Sequence, residues 1–356
     1  MNGQAHIFLG SNSAGGFFSL YDQLTGGRFD DLLIIKSGPG SGKSSFMRTV
    51  AEELGKAGNE IIYVNCSGDP DSLDAVLFPT LKIGIVDGTA PHVLEPSYTG
   101  ANERYVDLMR FYDLTGTKGA REEIAEHTRS YRAAYAEAYR ILRASGELSA
   151  AHCAAVRAKV DALRLGKRVD GIIRRELRGG AGKRGRIDRA FLGGLTCRGE
   201  LCRFDTVEAL CPRAYVFADS FGLAAAELER ICAAASGSGC DVLACPDPDR
   251  PEELRHVLIP SKGLAFVSST ARLPYPGKPY RTLRLDAMAA AAMEKSERAR
   301  LRLLSRVERE LRAEAESALR RAKAEHDALE RVYNPFVDFD GVYALAREEA
   351  AHVLLA

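Results

Sequence analysis

The stretch Leu32-Leu33-Ile34-Ile35-Lys36-Ser37-Gly38-Pro39-Gly40-Ser41-Gly42-Lys43-Ser44-Ser45 constrains the fold of this chain more than any other. A short apolar run bounded by glycines reads as a buried strand. The glycines that follow let backbone N–H groups turn inward toward an anion. Phe46, Met47, Val50 and Leu54 then recur at helical spacing. Strand, glycine-rich turn and helix in that order form a phosphate-binding loop, with the helix N-terminus adding its positive dipole end. The pattern departs from the usual one at its first position, where Ser37 replaces glycine.

In such a loop each residue type has a task. Gly38, Gly40, Ser41, Gly42, Lys43, Ser44 and Ser45 line the phosphates. Lys43 reaches the β- and γ-phosphates, and the Ser44 hydroxyl ligates Mg²⁺. Downstream, Lys82-Ile83-Gly84-Ile85-Val86-Asp87 is a short apolar strand ending in a carboxylate. Beside a phosphate loop, that Asp holds Mg²⁺ or positions the attacking water. The candidate catalytic residues are therefore Lys43 and Asp87, with Ser44 and Asp87 as metal ligands. His92, on the loop after this strand, is a weaker acid–base candidate, because a locally bonded loop histidine is at least as common. Asp69 begins another strand-end loop. A turn role is favoured for it, because Asp recurs at Asp247 in the second half described next.

The chain repeats itself. Phe8-Leu9-Gly10 matches Phe191-Leu192-Gly193, Leu33-Ile34-Ile35 matches Tyr215-Val216-Phe217, and Gly40 matches Gly222, with a nearly constant offset. Asp69-Pro70-Asp71 recurs as Asp247-Pro248-Asp249. Opposite Gly42-Lys43-Ser44, however, stand Ala224-Ala225-Ala226, and opposite Asp87 stands Ser268. The second copy keeps scaffold positions and loses the phosphate lysine, the metal hydroxyl and the acidic strand end. One triphosphate per chain is the expectation.

The expected fold class is α/β: tandem P-loop NTPase-type parallel sheets with long helical arms and a degenerate second copy. The boundaries read 1–101 for the first copy, 102–178 for a helical arm, 179–188 for a basic Gly-rich linker, 189–286 for the second copy, and 287–356 for a C-terminal helical arm. Arg121 to Arg143 and Met288 to Arg331 are the long helical tracts, expected to pair as antiparallel arms or to meet another subunit. The linker, Arg174 through Arg186, reads as solvated, with a phosphate-covering lid as its alternative.

With 356 residues the chain has ample material for two or three domains, and its net charge of +1 creates no global field for nucleic acid or membrane. Eight cysteines form no Cys-x-x-Cys pair and read as reduced thiols. No basic-then-apolar leader begins the chain, and no apolar run approaches a membrane span, so a cytoplasmic location is expected.

Taken together, Phe8-Leu9-Gly10 through Gly16-Phe17, Lys36 through Ser45, Asp69 through Asp74, Asp87 through His92, Glu103 through Leu108 and His326-Asp327 through Pro335 carry a resemblance over most of the chain. The sequence resembles a family of bacterial proteins with tandem P-loop halves, usually described as ATPases or nucleotide-kinase-like proteins. The resemblance implies a cytoplasmic ATP-binding protein, its phosphate loop falling on Gly40, Gly42, Lys43 and Ser44. Mg²⁺-dependent ATP binding with hydrolysis is the expected activity, with ATP and Mg²⁺ as cofactors. ATP is preferred over GTP because no Asn-Lys-x-Asp motif occurs. Two other classes stand beside it: a kinase transferring the γ-phosphoryl group to a small acceptor, and a non-catalytic ATP-sensing scaffold that binds a protein partner through the arms.

Overall fold

The computed structural model describes residues 4–178 and 182–355. In the first half the chain forms β1 (Ala5–Ile7), a hairpin of β2 (Gly10–Ser13) and β3 (Gly16–Ser19), β4 (Asp31–Lys36), α1 (Lys43–Lys56), β5 (Ile62–Asn65), β6 (Leu73–Phe78), β7 (Ile83–Asp87) and β8 (Glu103–Asp107). Then come α2 (Leu114–Gly119), α3 (Arg121–Arg157) and α4 (Ala162–Glu176). The second half has β9 (Ile187–Arg189), a hairpin of β10 (Gly193–Thr196) and β11 (Gly199–Cys202), α5 (Phe204–Leu210), β12 (Arg213–Ala218), α6 (Ala225–Gly237), β13 (Val242–Pro246), β14 (Leu254–Ile259), β15 (Leu264–Ser269) and β16 (Arg281–Arg284). It closes with α7 (Leu285–Ala291), α8 (Lys295–Tyr333) and α9 (Phe339–Leu355).

Each half builds a six-stranded sheet of the same order. The first runs β1-β5-β6-β7-β4-β8, and the second, read from its far edge, runs β9-β13-β14-β15-β12-β16. The registers also agree: Ile35 lies opposite Asp87 as Phe217 lies opposite Ser268. The protein is α/β, but the sheets are mixed rather than parallel. β6 runs antiparallel to β5 and β7, and β14 to β13 and β15. The connections explain the difference. Only residues 79–82 separate β6 from β7, and only 260–263 separate β14 from β15. A parallel return needs a crossover of a dozen residues or more, whereas a short turn permits only a reversal. β8 completes the first sheet alongside β4, from within the stretch assigned by sequence to the helical arm.

Alternation along the central strands sets the layers. Leu33 and Ile35 face α1 and meet Phe46, Met47, Val50 and Leu54. Leu32 and Ile34 face the other way, into a core shared with Ala214, Val216, Leu258, Ala265 and Val267 of the second sheet. On the far side of the second sheet, Tyr215 and Phe217 pack against Leu165 and Val169 of α4 and Leu228 and Ile231 of α6. The two sheets therefore pack face to face, with helices outside each. Full burial of one such Leu or Ile contributes about 1.5–3 kcal/mol. Near the meeting line, Phe8 and Phe191 exchange N–H···O=C bonds of 2.8 Å in both directions. The hairpins cross over: Ser11 of β2 donates to Pro248 O, and the Cys197 N–H after β10 donates to Gly68 O.

The long helices are antiparallel arms, and α3 extends well past the tract read from sequence. His127 faces Glu325, Arg321 faces Glu137 and His152 faces Glu308, and Lys159, just past α3, faces Glu297, so positions rise along α3 as they fall along α8. Ala138, Leu142, Ala315, Ala318 and Leu319 close the seam between them over Leu195 of the second hairpin. Among the described residues no helix is long and apolar enough to cross a membrane.

Candidate functional site

The buried strand β4 delivers the chain into residues 37–42 at its carboxyl end, and α1 starts at Lys43. Gly40 and Gly42 have φ of 69° and 78°, the left-handed region that a side chain rarely adopts. A methyl at Gly40 would also stand 3.1 Å from the Glu330 carbonyl oxygen and 3.2 Å from Asn334 Oδ1. The end of α8 thus closes over the loop, and Phe339 and Val342 of α9 approach Gly42 from beside it. Tyr112 donates its hydroxyl to Pro39 O at 2.9 Å and meets Tyr333 edge-on.

Lys43 folds back along the loop. Its Nζ donates to Gly38 O at 2.8 Å and lies 3.6 Å from Asp87 Oδ2. Asp87 reaches this place because β7 pairs in parallel with β4, bringing the carboxyl ends of the two strands side by side. Its Oδ1 accepts the Thr89 N–H at 3.0 Å and the Thr89 hydroxyl at 2.6 Å. Ser44 Oγ accepts the Leu73 N–H at 3.1 Å. Ser45 is half-buried in the first turn of α1. Ser41 is buried, and its Oγ, like that of Ser37, has no hydrogen-bond partner among the described residues.

His92 lies beneath this group, only 6% exposed. Its Nε2 stands 3.4 Å from Asp74 Oδ2, which also accepts the Tyr21 hydroxyl at 2.8 Å. Burial works against charge on both partners, yet Asp74 holds the imidazole above its ordinary value and His92 holds the Asp74 carboxyl below its own. The sequence placed His92 on an open loop; the structure turns it inward against Tyr21. Asp69 accepts from Asp71 N and Ser72 Oγ in a turn and faces Lys323 of α8 at 3.3 Å. The described parts of the basic linker make their contacts in the second half. Arg175 donates to Tyr215 and Glu176, and Arg186 to Asp188. The rest of that stretch, 179–181, lies outside the described residues. Among the described residues, His326, Asp327 and Glu330 near the end of α8 are close enough together to share an ion, a role the sequence reading did not give to the stretch His326 through Pro335.

The matching loop of the second half differs in a way sequence reasoning missed. Gly222 keeps the left-handed φ, at 66°. Where the first half has Ser37, the second has Asp219. Its carboxylate accepts the N–H groups of Phe221 at 3.1 Å, Leu223 at 2.9 Å and Ala224 at 2.8 Å. The loop is filled by its own anion. An acidic residue directly after the strand, three positions before the retained glycine, was the available signal.

No protein-family model, curated protein or solved structure matches this chain.

Proposed function

We propose that the first half binds ATP with Mg²⁺ at residues 37–45 and hydrolyses it, and that the two halves are tandem P-loop units of which one is active. One observation carries the reading: a lysine at the first turn of a helix, behind a loop with left-handed glycines, stands 3.6 Å from a carboxylate at the end of the neighbouring parallel strand. The donor set fits the ligands. Ser41 Oγ is buried and unpartnered, α1 presents its N-terminal N–H groups, and Ser44 Oγ keeps a lone pair beyond the one that accepts Leu73 N–H. Ser44 and Asp87 would hold Mg²⁺, which neutralises charge on the β- and γ-phosphates when bound.

Lys43 exchanges Gly38 O and Asp87 for phosphate oxygens, carrying its charge only a short way. The backbone N–H groups of the loop orient the phosphates, and the left-handed glycines keep the cradle free of side chains. Asp87, held by Thr89 through Oδ1, would have its second oxygen available to the metal. The α8 roof over Gly40 limits water around the loop.

Calorimetry with ATP, GTP and Mg²⁺, paired with ADP release, tests this. Mg²⁺-dependent ATP binding and turnover that disappear in Lys43→Ala are expected. ADP release that requires an added nucleoside or nucleotide would make the protein a kinase. Tight binding without turnover would make it a sensor. Unchanged ATP affinity in Lys43→Ala would remove the site.

A further inference from the structure

A cavity of about 300 Å³ lies in the second half at the carboxyl ends of β12 and β15, roofed by α3 and α8. That is the low end of the range for small-ligand pockets. It occupies the place in its sheet that residues 37–45 and Asp87 occupy in the first, but its charges are reversed. The loop carries Asp219 in place of Ser37, and Ala225 in place of Lys43. On β14, Arg255 takes the register position that Asp74 holds on β6, one residue past the pairs Pro246–Leu254 and Asn65–Leu73.

Arg255 is the unusual member of this cavity wall. It is 92% buried by its 8% exposure, yet among the described residues its guanidinium has neither a hydrogen bond nor an ion pair. The other buried or half-buried ionic groups flanking it are engaged, and Arg309, also in the wall, is exposed on α8. Arg250 binds Asp247 and Glu253, Arg272 binds Glu200 and Glu308, and Asp249 is held by Arg312. Asp247, Glu200 and Asp249 favour its charge from beyond ion-pair distance, which leaves the guanidinium fork free to meet a carboxylate with two parallel bonds. His152 of α3 is 3% exposed and lines the same cavity, with Nε2 unpartnered. Burial keeps its ring on the neutral side, although Glu308 opposes that. A neutral imidazole can then exchange a hydrogen bond with a ligand hydroxyl or amine.

The ligand's charge follows from what else faces the space. The backbone N–H groups that would cradle phosphate are consumed by Asp219. Asp219, Asp247 and Asp249 in the wall repel a multiply charged group, and the other unpaired cation of the wall among the described residues, Arg309, is exposed to solvent. We propose that this cavity binds a small organic acid, whose single carboxylate is received by Arg255 and whose hydroxyl or amino group meets His152. The inference is independent of nucleotide binding in the first half.

Acetate, lactate and inorganic phosphate, each titrated against chloride at equal ionic strength, test it through the Tm of the full chain and the Arg Nε–Hε NMR signals. Both carboxylates raise the Tm beyond chloride, lactate more than acetate, and one buried arginine signal shifts. Arg255→Met abolishes the response. Arg255→Lys, which keeps the charge without the fork, weakens it. His152→Phe removes the advantage of lactate, and Lys43→Ala leaves every response intact. The proposal is overturned if acetate and lactate stabilise no more than chloride, or if Arg255→Met responds like wild type. A response to phosphate exceeding that to the carboxylates, and lost in Arg255→Met, overturns the assignment to an organic acid.

Discussion

Lys43 Nζ lies 3.6 Å from Oδ2 of Asp87, across the gap between two adjacent parallel strand ends, with both side chains largely buried. Neither group needs to travel far to meet a phosphate or a metal. The same proximity makes the two roles separable by mutation, because one residue acts on phosphate directly and the other through the ion.

Lys43→Ala is expected to leave the fold intact, since the polar contacts of Nζ are confined to Gly38 O and Asp87 beside the loop. It removes a charge-assisted contact worth about 1.5–3 kcal/mol, roughly ten- to a hundredfold in ATP affinity. Calorimetry checks the affinity and circular dichroism the fold.

Asp87→Asn keeps the Thr89 hydrogen bonds to Oδ1 and removes the negative charge. Mg²⁺-dependent turnover is expected to fall by roughly 10–100-fold, with Mg²⁺-free nucleotide binding little changed. Steady-state ADP release over a Mg²⁺ titration reads the difference, and wild-type turnover would assign the metal to another carboxylate.

The His92–Asp74 pair gives stability a pH dependence of definite sign. The folded His92 value lies above 6.5, so its contribution is complete below 6.5 and fades as pH rises through the folded value. The folded Asp74 value lies below 3.8, so its contribution is complete above 3.8 and fades as pH falls through the folded value. The attraction is shared, and counting it for both partners would double it. Urea denaturation of wild type and His92→Gln should differ more near pH 5.5 than near pH 8.5, and an equal gap at both would contradict the pairing.

Asp219→Ala orphans three backbone donors and is expected to cost about 2–4 kcal/mol of stability. Ala225→Lys restores a lysine opposite Lys43 but leaves the Asp219 carboxylate in the loop. Calorimetry should therefore give one ATP per chain for both wild type and Ala225→Lys. Two equivalent sites in either would refute the blocked loop.

Local signals were legible in the sequence and tertiary ones were not. The loop at 37–45 could be read because glycine conformation, lysine position and helix start are fixed by neighbours in the chain. The repeat could be read because it preserved order. The reversal of β6 could have been read from the turn at 79–82, too short for any crossover, but apolar strands look alike in either direction. His92 could not be placed inward, because Tyr21 and Asp74 approach it from distant segments. The contact of Glu330 with Gly40 joins residues far apart in the chain, and no periodicity announces it.

Helix α8 runs unbroken from Lys295 to Tyr333, about 58 Å at 1.5 Å per residue. Ser305, Glu308 and Arg309 border the cavity of the second half, and Glu330 rests on the glycine loop of the first. One continuous helix is thus a lintel common to both strand-end sites, and neither roof is built from a segment of its own.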